Sequence, residues 1–546
     1  MTDALAGEVA VLGRLMLAFR GTRVPGWLEA RLAAAPLAGV SLFRHLNVRA
    51  PAQVLALTEA LQAAARARPE ADGRPLLVAA DQEGGQLLAF GAGWTPFGGA
   101  MALGAAGDVE LTERVGRAIG LELRAVGVNI DYAPCLDVAS NPGNPSLGIR
   151  SFGDDPAAVA RLGAAWLRGL QSAGVAGTAK HFPGKGQGAV DTHHELAVVD
   201  RSRADLEAVE LAPFRAAVAA GARVVMSGHF AIPAITGSRT LPSTLAPAVM
   251  TGLLRDELGF DGVAITDALD MGALPQDATQ AIDVVAALRA GVDLLLATYR
   301  RASHRRIEAA ISRAVALGVL DDDSLAASAA RLSALRGWIA GFASPPLEVV
   351  GCGEHRALAG ELAERSITLA RDDAGVLPLR MGSDARILVI EPQPFDLTPA
   401  DTTSTLTPGG LAAALREHHD RVHGLTVSPE PSSAEIAAAR DAVRGADLAI
   451  VATDAASFRP GQAALARAVI GTGVPVVTVA LRTPFDLAGY PEAETHACTF
   501  GRLEPSMAAV AAALVGRIPF RGRLPAAVPG LYPTGHGLVR ATTVRA

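Results

Sequence analysis

Lysine is nearly absent. Of the 49 basic residues in this 546-residue chain, Lys180 and Lys185 are lysine and the rest are arginine. Arginine bias alone needs no physics, but an ammonium is a compact point charge that a forked guanidinium does not reproduce. The segment Lys180-His181-Phe182-Pro183-Gly184-Lys185-Gly186 is therefore the first candidate for an active site. Cysteine is also scarce: Cys135, Cys352 and Cys498, three in number and far apart, argue against a disulfide framework and a zinc knuckle. No apolar run approaches the roughly 18–20 residues of a membrane span. Met1–Glu8 lacks the basic start of a secretory signal. A net charge of −6 without local clusters of Lys or Arg excludes nucleic acid and acidic membrane surfaces as expected partners. The expectation is a cytoplasmic enzyme. Its oligomeric state leaves no trace in the sequence.

Hydrophobic residues at 50% and charged residues at 19% allow large cores. At roughly 150 residues per domain the length suits two to four domains, and a (β/α)₈ barrel absorbs well over 200 residues. Eight short apolar runs alternate with helical texture over the first 300 residues: Leu15–Phe19, Val40–Phe43, Leu76–Ala80, Val128–Ala133, Val175–Ala179, Val224–Ser227, Val263–Thr266 and Val292–Leu296. Buried parallel strands read as such runs, and stretches such as Asp205–Ala220 or Ala278–Ala290 supply the crossover helices. The count predicts an α/β chain opening with a (β/α)₈ TIM-type barrel, with a doubly wound open sheet as the runner-up. The barrel is expected over residues 1–343. A linker with a helix near His355–Leu369 follows over 344–380, and a smaller open α/β sandwich over 381–546. The sandwich strands are read at Ile387–Ile390, Leu448–Ala452 and Pro475–Ala480. No Gly-x-Gly-x-x-Gly follows a strand there, so no nucleotide is assigned.

In a barrel the polar residue just after each strand faces the catalytic mouth. Those places hold Asp81, Asp137, Lys180-His181, His229 and Asp267. Asp267 ends a rigid apolar run, which suits a nucleophile fixed before substrate arrives; the competing role is a helix N-cap, for which Asp270 is better placed. Asp191 and His193 stand two apart in a loop read as mobile because Gly184, Gly186 and Gly188 precede it. A turn there would let the carboxylate orient the imidazole and support its charged form, a usable general acid. Arg150 ends a turn-rich loop from Asn141. Asp81, Arg150, Lys180 and His181 read as donors and acceptors around hydroxyls, which with a carboxylate under the reacting carbon describes a glycosidase. Two other readings are a metal site formed by His181, His193, His229 and Asp267, and a Schiff base on Lys180.

Several spaced motifs resemble glycoside hydrolase family three, in its bacterial two-domain β-N-acetylglucosaminidase branch. They are Asp81-Gln82-Glu83-Gly84-Gly85, Asn144-Pro145 through Arg150-Ser151-Phe152-Gly153, Lys180-His181-Phe182-Pro183-Gly184, Asp191-Thr192-His193 and Ile265-Thr266-Asp267-Ala268-Leu269-Asp270-Met271. The likeness continues through Arg365–Leu369, Gly375–Leu379, Gly522–Pro525 and Tyr532–Gly535. The resemblance implies a retaining mechanism with Asp267 as nucleophile and His193 as acid/base paired with Asp191. Sugar hydroxyls would be bound by Asp81, Arg150, Lys180 and His181, with His229, Lys185 and Met271 as accessory candidates and no cofactor or metal. The substrate implied is an oligosaccharide carrying terminal β-N-acetylglucosamine, from cell-wall or chitin fragments. Gln86 and Ala89 stand where the branch usually has arginines, Lys185 where it usually has histidine, and His194-Glu195 is added. Those departures leave another β-glycoside open, and a neutral acid/base, with no carboxylate to repel it, leaves phosphate open as acceptor. A metal-dependent hydrolase and a catalytically idle sugar-binding protein are the readings of other classes.

Overall fold

A computed structural model describes residues 13–68, 72–405 and 410–540. Met1–Glu8 lies outside them. The eight apolar runs become β1 (Leu15–Ala18), β2 (Gly39–Ser41), β3 (Leu77–Ala80), β4 (Ile130–Asp131), β5 (Ala176–Phe182), β6 (Val224–Ser227), β7 (Val263–Thr266) and β8 (Leu295–Ala297). Among the described residues these form one parallel sheet in sequence order, with β8 paired to β1 and an Ile265–Leu294 bridge closing the ring. Alternation along each strand sorts the core into two layers. Met16, Leu77, Ile130, Met226, Ile265 and Leu296 cluster in one, where Leu335 and Ile339 of the helix Asp322–Ala340 join them. Leu15, Leu17, Val40, Val78 and Val225 belong to the other, shared with helix residues such as Leu57, Leu123 and Leu167. The helix expected over 205–220 is broken: Leu206–Glu210 is a wider π turn, followed by the α-helix Ala212–Ala219. The crossover before β8 is Gln280–Ala290, closed by the left-handed Gly291.

The second sheet holds β9 (Thr368–Asp372), β10 (Ile387–Pro392), β11 (Val422–Val427), β12 (Leu448–Thr453), β13 (Val476–Ala480) and β14 (Thr495–Cys498). Their order is β9-β14-β13-β12-β10-β11, all parallel except β9 against β14. The segment 344–380 carries the helix Gly353–Ser366 and also edge strand β9, so it joins the second sheet as well as leading to it. Two sheets become one body through the later motifs. Pro525 O accepts from Asp154 N at 3.0 Å, Ala105 O accepts from Arg523 N at 3.0 Å, and Asp154 takes the Thr534 hydroxyl at 2.6 Å. No helix among the described residues is long and apolar enough to cross a membrane.

Candidate active site

A cavity of about 190 Å³ opens at the C-terminal ends of the barrel strands. That is below the roughly 300–1,000 Å³ of pockets for drug-sized ligands and suits one small polyol. Its lining includes Asp81, Arg150, Lys180, His181, His193, Asp267 and Met271. The second domain adds Pro399, Ala400, Asp401 and Thr402, which the sequence did not disclose. That wall is held by a buried arginine. Arg482 pairs with Asp401 and Asp454, donates to Phe395 O at 3.2 Å and reaches Gln86 Oε1 at 3.5 Å.

Lys180 and His181 lie inside β5 rather than after it, because β5 continues to Phe182. Lys180 Nζ contacts Asp81 Oδ1 at 2.7 Å and Glu83 Oε1 at 2.6 Å. Arg150 grips Glu83 with two parallel bonds, 2.9 Å from Nε to Oε2 and 2.8 Å from Nη2 to Oε1. Burial alone would raise the Glu83 carboxyl, but Arg150 and Lys180 outweigh it and hold Glu83 at about 2. In turn, Asp81 and Glu83 keep the buried Lys180 above the ordinary lysine value against the burial that would lower it. That stability of the charged amine disfavours the Schiff-base reading, which needs a neutral one. Glu83 sits in a quoted motif, but its role as the hub of two cations had no sequence signal beyond that.

His181 Nδ1 meets Asp137 Oδ2 at 2.7 Å. Burial and the nearby Lys185 lower His181 to about 4 despite that carboxylate, so at neutral pH the ring is uncharged. Since Asp137 accepts at Nδ1, the other nitrogen carries a lone pair. That Nε2 lies 3.9 Å from Asp267 Oδ2 and is suited to accept a hydroxyl. Asp267 begins directly after β7, its Oδ1 taking Ala268 N at 2.8 Å. Burial would raise this carboxyl, but His181, His229, Lys185 and His193 bring it well below the usual range, so it is ionised.

His193 faces the cavity with Nδ1 2.6 Å from Asp191 Oδ1, the same oxygen accepting His193 N at 3.0 Å. Burial opposes this ionised form of Asp191, yet the bonds from His193 hold it at about 2. A Cβ at Gly186 would lie 1.7 Å from Val138 O, so that position serves close approach of two backbones. Asp137 takes Lys185 N at 2.8 Å, Asn144 holds Lys185 O and Gly186 O at 3.0 and 3.2 Å, and Asn141 holds Gln187 O. Gly272 N, in the loop after β7, donates to His193 O at 2.9 Å.

Three accessory candidates part ways. Met271 lines the cavity. Lys185 is buried just outside it, its charge felt by Asp137, Asp191 and Asp267. His229 is fully buried and does not line the cavity, its Nδ1 2.9 Å from Thr244 Oγ1 and its Nε2 3.2 Å from Ala268 O. With both nitrogens engaged, His229 is unsuited to the metal set proposed from sequence. Cys135, Asp137 and His181 bring ligand-type atoms within 4.8 Å, but these contacts are hydrogen bonds among themselves. Burial pushes the Cys135 thiol well up, leaving it protonated.

The profile described as Glycosyl hydrolase family 3 N terminal domain matches residues 23–335. Beta-hexosaminidase A of Pseudoalteromonas piscicida is 36% identical over 389 residues, covering 66% of this chain and 63% of that protein. The Beta-N-acetylglucosaminidase/beta-glucosidase of Cellulomonas fimi is 30% identical over 562 residues, covering 96% of this chain and 94% of that one. Among solved structures, a glycoside hydrolase family 3 beta-N-acetylglucosaminidase from Paenibacillus sp. str. FPU-7 superposes with a TM-score of 0.88 at 35% identity. It spans 95% of this chain and 98% of that one.

Proposed function

The chain belongs to glycosyl hydrolase family 3, and from that premise we propose that it removes terminal β-linked N-acetylglucosamine from oligosaccharides by a retaining, two-step route. The class, a glycoside hydrolase, and the sugar rest on the relatives. The observation that carries the mechanism is geometric: Asp267, fixed directly after β7, and an Asp191–His193 pair meet on one cavity the size of a single sugar.

Asp267 attacks the anomeric carbon and forms the ester bond of a glycosyl-enzyme, while His193, entering as imidazolium, gives its proton to the departing glycosidic oxygen. Asp191 stabilises that cation and orients the ring. Neutral His193 then takes a proton from water, whose oxygen displaces Asp267 and releases the sugar. Asp81 and the His181 Nε2 lone pair accept sugar hydroxyls, while Lys180 holds Asp81, Asp137 holds His181, and Arg150 holds the Glu83 that shares Lys180. An imidazole in the acid/base place, where a carboxylate would repel anions, favours phosphate as a second acceptor. In that case sugar 1-phosphate replaces free sugar when phosphate is added. Free, largely buried cysteines support a reducing interior, and cell-wall or chitin fragments are the substrates we propose there.

A fluorinated N-acetylglucosaminyl donor that outlasts the first step should add one sugar mass, mapped to the peptide carrying Asp267. Label on another residue, or turnover retained by Asp267→Ala, overturns the assignment. Binding without label and without turnover indicates an idle lectin, and loss of turnover with a chelator indicates a metal hydrolase.

A further inference from the structure

Arg44 follows β2 and faces the sugar cavity, yet it is absent from the set of residues read from the motifs. The cavity's other cations are committed. Lys180 serves Asp81 and Glu83, and Arg150 serves Glu83. His193 is bonded to Asp191. The half-buried Arg44 guanidinium reaches two backbone carbonyls, Leu88 O at 3.5 Å and Thr405 O at 3.2 Å, and forms no ion pair among the described residues. Two of its five donors meet those carbonyls, which leaves capacity for a ligand.

Its position is built rather than incidental. Arg44 opens the short helix Arg44–Asn47, whose Asn47 side chain takes Phe43 N at 3.0 Å and donates to Phe19 O and Gly21 O at 3.0 Å each. A Cβ at Gly91 would lie 2.3–2.7 Å from the guanidinium atoms, so the missing side chain at 91 makes its seat. Ala89, one residue past the carbonyl Arg44 binds, contributes only a methyl group to the cavity wall. That is one of the two places where an arginine was expected from the motif, and Ala89 N is pinned to Asp81 O at 2.8 Å.

Ring order sets the direction. In an eight-stranded ring β3 stands across from β7, so Asp81 faces Asp267 over the mouth, and Arg44, just after β2, stands on the side of Asp81. A sugar with its reacting carbon at Asp267 extends its remote edge toward that pair. We propose that Arg44 is a substrate-binding residue that donates to a hydroxyl on the sugar edge remote from the reacting carbon, replacing from the turn after β2 the cation missing at Ala89. The proposal rests on the glycosidase reading above.

The test compares Arg44→Ala and Arg44→Gln with the native enzyme on an aryl β-N-acetylglucosaminide and its 3-, 4- and 6-deoxy analogues. A bond from a charged donor predicts a fall in kcat/KM of about 10- to 100-fold for Arg44→Ala on the parent sugar. On the one analogue lacking Arg44's hydroxyl, native and variant enzymes should agree within about 2-fold. Arg44→Gln, with a shorter donor, covers the case in which the alanine variant does not fold. Equal activity on the parent sugar overturns the proposal, as does the same proportional loss on all three analogues. If the native enzyme cleaves none of these sugars, the glycosidase reading fails instead.

Discussion

Two charged assemblies face the same cavity and are built on opposite plans. The floor, Asp81–Lys180–Glu83–Arg150, spans β5 and the turns after β3 and β4. The side chains of Lys180 and Arg150 are each 2% exposed and that of Glu83 5%. The dyad, Asp191–His193, rides on a loop, and the His193 side chain is 23% exposed. Every floor charge has an opposite charge within 3 Å, so the floor costs nothing to organise when a sugar arrives. Among the described residues His193 Nε2 has no hydrogen-bond partner, as proton transfer requires. In the proposed roles, binding falls to the ion-paired floor and proton transfer to the loop. Fold and chemistry should fail separately in the two places.

The largest effect is expected in the floor. Glu83→Ala leaves Lys180 and Arg150 buried with Asp81 as their remaining near carboxylate, and breaking such a pair costs about 3–5 kcal/mol. Urea unfolding should show that loss together with collapse of sugar turnover. A cost below about 1 kcal/mol would mean the floor relaxes or hydrates, and the contrast with the loop would vanish. At the dyad, His193→Ala takes from the buried Asp191 the ring that helps hold it ionised and should cost about 1–2 kcal/mol of stability, less than the floor change, while kcat/KM on poor leaving groups falls about 10²–10⁴-fold. Because kcat/KM reports the first step, the fall should shrink with an activated phenol leaving group. Equal falls on both would remove His193 from the acid role.

These two assemblies also differ in how far the sequence exposed them. All eight barrel strands were legible because parallel strands buried on both faces are written as unbroken apolar runs. Strand β11 was not, since its pattern is buried only at Val422 and Val427 with polar or half-exposed residues between. The strand-end place of Asp267 and the Asp191–His193 contact were legible because each is local in sequence. Glu83's two cations come from 67 and 97 residues away, Arg44's seat depends on Gly91, and the second-domain wall depends on Arg482; such contacts exist only after folding. Gly186 needs a long-range contact for the same reason: its place marks two backbones too close for a side chain, which the local sequence does not show.

Glu210 lies under the seam between floor and dyad and gives the smallest of the three effects. It is fully buried, packed against Gly184, with Arg201 Nε and Ser140 Oγ each 3.4 Å from Oε1. Burial first, then the neighbouring Asp137, raises it from 4.5 to about 7, against the pull of Arg201. A raised carboxyl makes the fold favour the neutral form. Below about pH 4.5 folded and unfolded chains both hold the proton and the site is neutral for stability. As pH climbs to 7 the unfolded chain ionises while the folded one does not, so stability declines, by about 3 kcal/mol in all once Glu210 itself ionises. Glu210→Gln fixes the neutral form. Urea unfolding of the two proteins should coincide near pH 4, and the variant should be the more stable by up to about 3 kcal/mol at pH 8. A difference that does not change with pH would show that Glu210 is held ionised, and that the seam carries a charge as the floor does.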